Sequence, residues 1–213
     1  MLQIHRFTFN PFGENSYIIY HEVSKEAAII DPGCYDDYEK QAIDNFIKTN
    51  DLTLKYLFNT HCHLDHIFGI CHIKSNYDVV YYAPEEDLPL LKQASQQASM
   101  FGLEIREICL PDKFINPDLS LKIGDSTLKF LFTPGHSPGG YCIYFEDENI
   151  CITGDTLFEG SIGRTDLPGG HHDQLLKSIT EKLFVLPEET IIYPGHGEAS
   201  TIGNEKKSNP FFN

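Results

Sequence analysis

The segment Asn59–Gly69, NTHCHLDHIFG, constrains this chain more than any other stretch. It packs His61, His63, Asp65 and His66 into six positions, directly after the apolar run Leu54–Phe58 (LKYLF). Folding must bring four polar, metal-affine side chains to a strand end between apolar elements. Left buried without partners, such groups cost about 1–3 kcal/mol each. A bound cation removes that cost. Alternate residues of an extended segment point the same way, so His61 and His63 can reach one point together. Asp65 and His66 sit at the turn into a helix and can aim at a second point nearby. Cys62 alternates away from both histidines and reads as packing.

Three further signals lie downstream, each at an expected strand end. His136 stands in TPGHSPGG, Asp155 in TGDTLF and His196 in YPGHGEAS. Singly, each has a bland explanation, since a loop histidine is usually solvated and an Asp after a strand usually caps a turn. His5, His21 and His72 keep that explanation, as do His171 and His172, which precede a helix and at most reach a pocket rim. Strand ends that deliver His and Asp to one edge are how a rigid scaffold builds a metal site.

Periodicity supplies the frame. Strands are expected at Leu2–Phe9, Ser16–His21, Ala27–Ile30 (stopped by Asp31-Pro32-Gly33), Leu54–Phe58 and Val79–Tyr82. Tyr38, Ala42, Ile43, Phe46 and Ile47 share one helical face. A helix is expected over 67–75, and a long one from Pro84 to about Phe101. The second half repeats the order, with strands at Leu119–Ile123, Thr127–Thr133, Tyr141–Phe145, Asn149–Thr153 and Thr190–Tyr193. A helix carries Leu175, Leu176, Ile179 and Leu183. Strand-rich halves, each with helices, predict an α+β fold of two mixed sheets with helices outside. No linker or low-complexity segment divides the 213 residues, so one domain over 1–213 is expected.

A formal charge of −15 repels phosphate backbones and argues against a nucleic-acid partner. No run approaches the ~20 apolar residues of a membrane helix, and the N-terminus lacks a signal-peptide pattern. A cytoplasmic location follows as the default. There the six cysteines (Cys34, Cys62, Cys71, Cys109, Cys142 and Cys151) are expected as free thiols.

HxHxDH, then GH, GD and GH in that order, resembles the metallo-β-lactamase superfamily across nearly the whole chain. The resemblance implies a four-layer αββα sandwich. It implies that His61, His63 and His136 bind one metal, that Asp65, His66 and His196 bind a second, and that Asp155 bridges them. Two Zn²⁺ suit these ligands, and iron or manganese suit them as well. The implied chemistry is hydrolysis by a hydroxide generated at the metals, oriented by Asp65 as the catalytic carboxylate.

Within the superfamily, TGDTLFEGSIGRTDLPGG and the ending TIGNEKKSNPFF are similar to short glyoxalase II-like hydrolases. The implied substrate is a small acyl thioester of the hydroxyacylglutathione type. Only 17 residues follow His196, too few for the helical domain with which full-length glyoxalase II binds glutathione. Arg164, Lys206 and Lys207 are the cations near the matching segments and are candidates for an anionic substrate group, although a solvated surface cation is the commoner case. Persulfide dioxygenases share an HCHxDH and a GRTD stretch and hold one iron, on residues corresponding to His61, His136 and Asp155. His196 favours the two-metal alternative. A non-catalytic metal-binding protein is the third possibility, opposed by ligands unlike those of closed structural zinc sites.

Overall fold

The structure is a computed structural model in which residues 1–212 are described. Two six-stranded mixed sheets carry the chain. In the first, β1 (Leu2–Phe9), β2 (Glu14–His21) and β3 (Glu26–Ile30) run as an antiparallel meander. β4 (Thr53–Phe58), β5 (Val80–Ala83) and β6 (Lys113–Phe114) extend it in parallel. The second sheet has the order β14-β13-β10-β9-β8-β7. Its members are β7 (Ser120–Ile123), β8 (Ser126–Phe132), β9 (Tyr141–Phe145), β10 (Ile150–Gly154), β13 (Ile191–Pro194) and β14 (Ser200–Thr201). β10 and β13 are parallel and the other pairs antiparallel. A small hairpin, β11 (Leu157–Phe158) and β12 (Ser161–Ile162), stands apart.

Three apolar clusters stack the layers. Between the sheets, Tyr17, Ile19, Ile30 and Phe58 meet Leu128, Phe130, Ile143 and Ile152. Across the first sheet's outer face, Ile18, Ile29 and Leu57 meet helices α1 (Asp37–Thr49), α2 (Ile70–Asn76), α3 (Leu88–Lys92) and α4 (Ala94–Met100) through Ile43, Ile47, Ile73 and Leu91. Across the second sheet's outer face, Cys142, Cys151 and Ile192 meet α5 (His172–Ser178), the wide turn Ile179–Leu183 and α6 (Ile202–Ser208) through Leu175, Leu183 and Ile202. β2 shows the cause: Tyr17 and Ile19 face one cluster and Ile18 the other, so a strand covered on both sides reads as an unbroken apolar run. These are the four expected layers.

The long helix expected from Pro84 to Phe101 is instead two helices, α3 and α4, joined at Gln93. Pro89 has no N–H to donate back to Glu85, so no helix runs through it from Pro84, and α3 starts at Leu88 with the proline in its first turn. The cysteine expectation also needs correction. Cys71 and Cys109 form a disulfide that ties α2 to the segment before β6, while the other four are free and buried. The compartment default says nothing of distance, and these two Cα atoms lie 5.4 Å apart, within bonding range. Among the described residues no helix is long and apolar enough to cross a membrane.

Candidate metal centre

One edge of the sandwich collects the C-terminal ends of β3, β4, β8, β10 and β13. From them come Asp31, the His61–His66 segment, His136, Asp155 and His196. Two glycines let these loops close up. Gly154 holds φ at +47°, where a side chain is disfavoured and a Cβ would strike the Thr60 hydroxyl. At Gly195 a Cβ would fall 2.2 Å from Asp155 Oδ1 and 2.7 Å from the His66 ring.

All seven expected residues converge in two groups. In the first, His136 Nε2 lies 2.8 Å from His63 Nδ1 and 3.3 Å from His61 Nε2. In the second, Asp65 Oδ2 lies 3.1 Å from His196 Nε2 and 3.8 Å from His66 Nε2. Asp155 stands between them, with Oδ1 3.4 Å from His66 Nε2, and Oδ2 3.4 Å from His136 Nε2 and 3.6 Å from His196 Nε2.

The outer nitrogens settle which atoms face inward. His136 Nδ1 donates to the Arg164 carbonyl at 2.7 Å, which leaves Nε2 a lone pair. His196 Nδ1 faces the Gly13 carbonyl at 3.3 Å, with the same result. The Thr60 hydroxyl gives its proton to Asp31 Oδ2 at 2.6 Å, so it accepts from His61 Nδ1 at 3.1 Å and frees His61 Nε2. His66 Nδ1 sits between two carboxylates, 3.1 Å from Asp31 Oδ2 and 3.8 Å from Glu14 Oε1. Inner lone pairs therefore point at one another and at carboxylate oxygens, an arrangement that repels unless cations lie among them. Both His66 nitrogens and Asp155 Oδ1 are buried without a hydrogen-bond partner among the described residues. The donor set fits two divalent cations, one among three imidazoles and one among two imidazoles and a carboxylate.

The protein groups alone polarise the two clusters differently. Burial pushes His61 well below its ordinary value and His63 down to about 4, so both are neutral ligands at pH 7. Burial would lower His66 as well, but Asp155, Asp65 and Asp31 outweigh it and raise it. His196 is raised against its burial by Asp65 and Asp155. For Asp155, burial works upward, yet the imidazoles around it hold its carboxyl well below the usual range.

The substrate candidates lie elsewhere in the surface. The Arg164 side chain is exposed and paired with Asp166 at 2.8 and 2.7 Å, and it is the Arg164 carbonyl that reaches the centre. Lys206 and Lys207 are on α6, with Lys207 3.8 Å from Glu188. Cys62 is buried in the core, as its alternation implies. His5 stacks on Phe46, His21 contacts Ser24, His72 pairs with Asp44 and His171 caps α5.

Three residues escaped the sequence reading. By sequence Asp31 reads as a turn former. It adopts φ +49° and accepts from the Thr60 N–H, the Thr60 hydroxyl and the Asn59 side chain. An acid directly after an apolar strand is the same signal that found Asp155. Asp87, hidden inside an expected helix, accepts from the backbone N–H of Cys62 and of Gly139 and so ties two ligand loops together. Glu14 opens β2 with no exposed surface, and only a charged residue heading an apolar run marked it.

Comparison with known proteins agrees with this geometry. Residues 9–196 match the family model of the metallo-beta-lactamase superfamily. Hydroxyacylglutathione hydrolase GloC of Haemophilus influenzae is 39% identical over 204 residues, covering 95% of this chain and 94% of that protein. The crystal structure of BLEG-1 B3 metallo-beta-lactamase superposes with a TM-score of 0.90 at 36% identity, covering 99% of each chain. That of TTHA1623 in a di-iron-bound form superposes with a TM-score of 0.85 at 34% identity, covering 97% of this chain and 99% of that one. This chain belongs to the metallo-beta-lactamase superfamily and is a metallo-hydrolase with a buried, histidine-rich metal site.

Proposed function

We propose that this protein hydrolyses small acyl thioesters of the hydroxyacylglutathione type at a two-metal centre formed by His61, His63, His136, Asp65, His66, His196 and Asp155. One observation carries the reading: imidazole lone pairs and carboxylate oxygens converge at 2.8–3.8 Å in two groups with Asp155 between them. The similarity to GloC supports the thioester class. Two divalent cations supply an acidified water as nucleophile and a Lewis acid for the scissile carbonyl. The chain's own contribution is placement. Outer carbonyls, the Thr60 hydroxyl and the carboxylates behind His66 fix each ring's orientation. Asp65, part-exposed at the mouth, is placed to orient the attacking water and take its proton. A thiolate leaves without a general acid, so none is required on the far side.

Metal analysis coupled to S-lactoylglutathione hydrolysis tests this. Two cations per chain are expected, with turnover abolished by a chelator and restored by zinc, iron or manganese. One iron per chain, with oxygen uptake on glutathione persulfide and no thioester turnover, would establish the dioxygenase alternative instead.

A further inference from the structure

Four histidines have an oxygen close behind the outer nitrogen, and three of these oxygens are neutral: Thr60 for His61, the Arg164 carbonyl for His136, and the Gly13 carbonyl for His196. His66 alone is backed by carboxylates, Asp31 at 3.1 Å and Glu14 at 3.8 Å. Asp31 is fully engaged for other reasons, since it accepts three hydrogen bonds from Asn59 and Thr60. Glu14 is not. Its Oε2 accepts from the Ser16 hydroxyl, while Oε1 is buried with no hydrogen-bond partner among the described residues.

A fully buried carboxylate is too costly to keep as filler. The surroundings are built to hold this one. Gly33 leaves the room it occupies, since a Cβ there would fall 2.1 Å from Glu14 Oε2. Ser16 is fixed in turn by the Gly33 N–H at 2.9 Å. The backbone beside Glu14 is pinned to the other end of the same group, for Asn15 N–H donates to the Gly195 carbonyl at 2.7 Å, next to His196.

We propose that Glu14 is a positioning residue for the second metal group. With Asp31 it forms a carboxyl cradle on the outer nitrogen of His66, and it sets how tightly Asp65, His66 and His196 hold their cation. The two carboxyl groups orient the ring and increase the donor strength of Nε2 toward that cation. In the first group, His61 and His136 instead meet neutral oxygens directly, the Thr60 hydroxyl and the Arg164 carbonyl. This rests on the two-metal reading above.

The test is competitive zinc titration of the purified full chain against a chromophoric chelator, resolving both binding steps, with the cobalt-substituted visible spectrum as a second readout. Glu14→Gln replaces the carboxyl group by an amide of the same shape and Glu14→Leu removes the polar group altogether. Both are expected to bind the first cation as the parent does. The second should weaken by about 10-fold or more, further in Leu than in Gln, with only the second cobalt's band altered. A variant that holds both cations at parental strength, or loses both equally, overturns the proposal. Melting of the metal-free proteins checks that each is folded, and if Glu14→Leu is not, Glu14→Gln decides alone. A parent chain that binds fewer than two cations strikes the two-metal reading itself and takes this proposal with it.

Discussion

The two halves of the candidate centre are built on opposite principles. His61, His63 and His136 are buried; burial holds His61 and His63 neutral, and neutral oxygens prop His61 and His136 from behind. Asp65 and His196 are partly open to solvent, His66 is buried, and carboxylates flank both rings. Burial makes His61 and His63 reject protons, whereas local negative charge makes His66 and His196 attract them. A cation in the first group competes with almost nothing, and one in the second displaces protons held by carboxylates. On this contrast the first group is the anchoring one, held by burial, and the second the adjustable one, held by charge.

Asp155 is the one residue that belongs to both groups, so its loss should have the largest effect. Asp155→Ala removes the oxygen facing His66 and the oxygen facing His136 and His196 together. Thioester kcat/KM is expected to fall about 10³-fold or more, equivalent to about 4 kcal/mol of transition-state stabilisation. Both cations should weaken in titration. His196→Ala should weaken only one. If Asp155→Ala loses a single cation and keeps most turnover, the two groups are not joined through this carboxylate.

Why all seven of these residues were legible before any coordinates, while their supports were not, has a physical cause. Metal-affine side chains announce themselves by type, and HxHxDH concentrates four of them where packing offers no other use. Supports are ordinary residues in ordinary positions. Thr60 and the carbonyls of Gly13 and Arg164 act through groups that every chain carries, so only the folded arrangement reveals them. Asp31 looked like a turn because it is one; its φ of +49° and its three donors serve the same bend. The layers were legible from alternation, as in β2. The join at Gln93 and α6 were not, because a short helix capped by Thr201 carries too few turns to show a period. The Cys71–Cys109 pairing depends on contact between segments 38 residues apart, which spacing cannot disclose.

Proton affinity offers the second and subtler way to test the contrast, in metal-stripped protein. His63 is held at about 4 when folded, against about 6.5 unfolded. Between those values the unfolded chain binds more protons, so the stability that neutral His63 allows is complete above about pH 6.5 and lost as pH falls toward 4. The loss is about 3 kcal/mol at most. His66 and His196 are raised instead, so their contribution is present below about pH 6.5 and lost as pH rises through their folded values. Melting temperatures of metal-free protein from pH 4 to 9 should therefore sag on both sides. His63→Ala should relieve the acid side and His196→Ala the alkaline side. Identical pH profiles for the two variants would erase the distinction between the groups.

The smallest expected effect concerns Arg164, where the sequence suggests a substrate contact and the structure offers a different use. Its guanidinium is exposed and paired with Asp166, a surface ion pair that solvent screens. Its carbonyl orients His136 in the anchoring group, a role that any residue with the same backbone fulfils. Arg164→Ala should then leave both zinc affinities within about 2-fold and kcat/KM within about 3-fold, the scale of an exposed pair. Arg164→Pro preserves the carbonyl in name but restricts the backbone that aims it, and should weaken the first cation selectively. A rise in KM above 10-fold in Arg164→Ala, with metal binding unchanged, would return the side chain to the substrate site and make the mouth of the anchoring group a recognition surface as well.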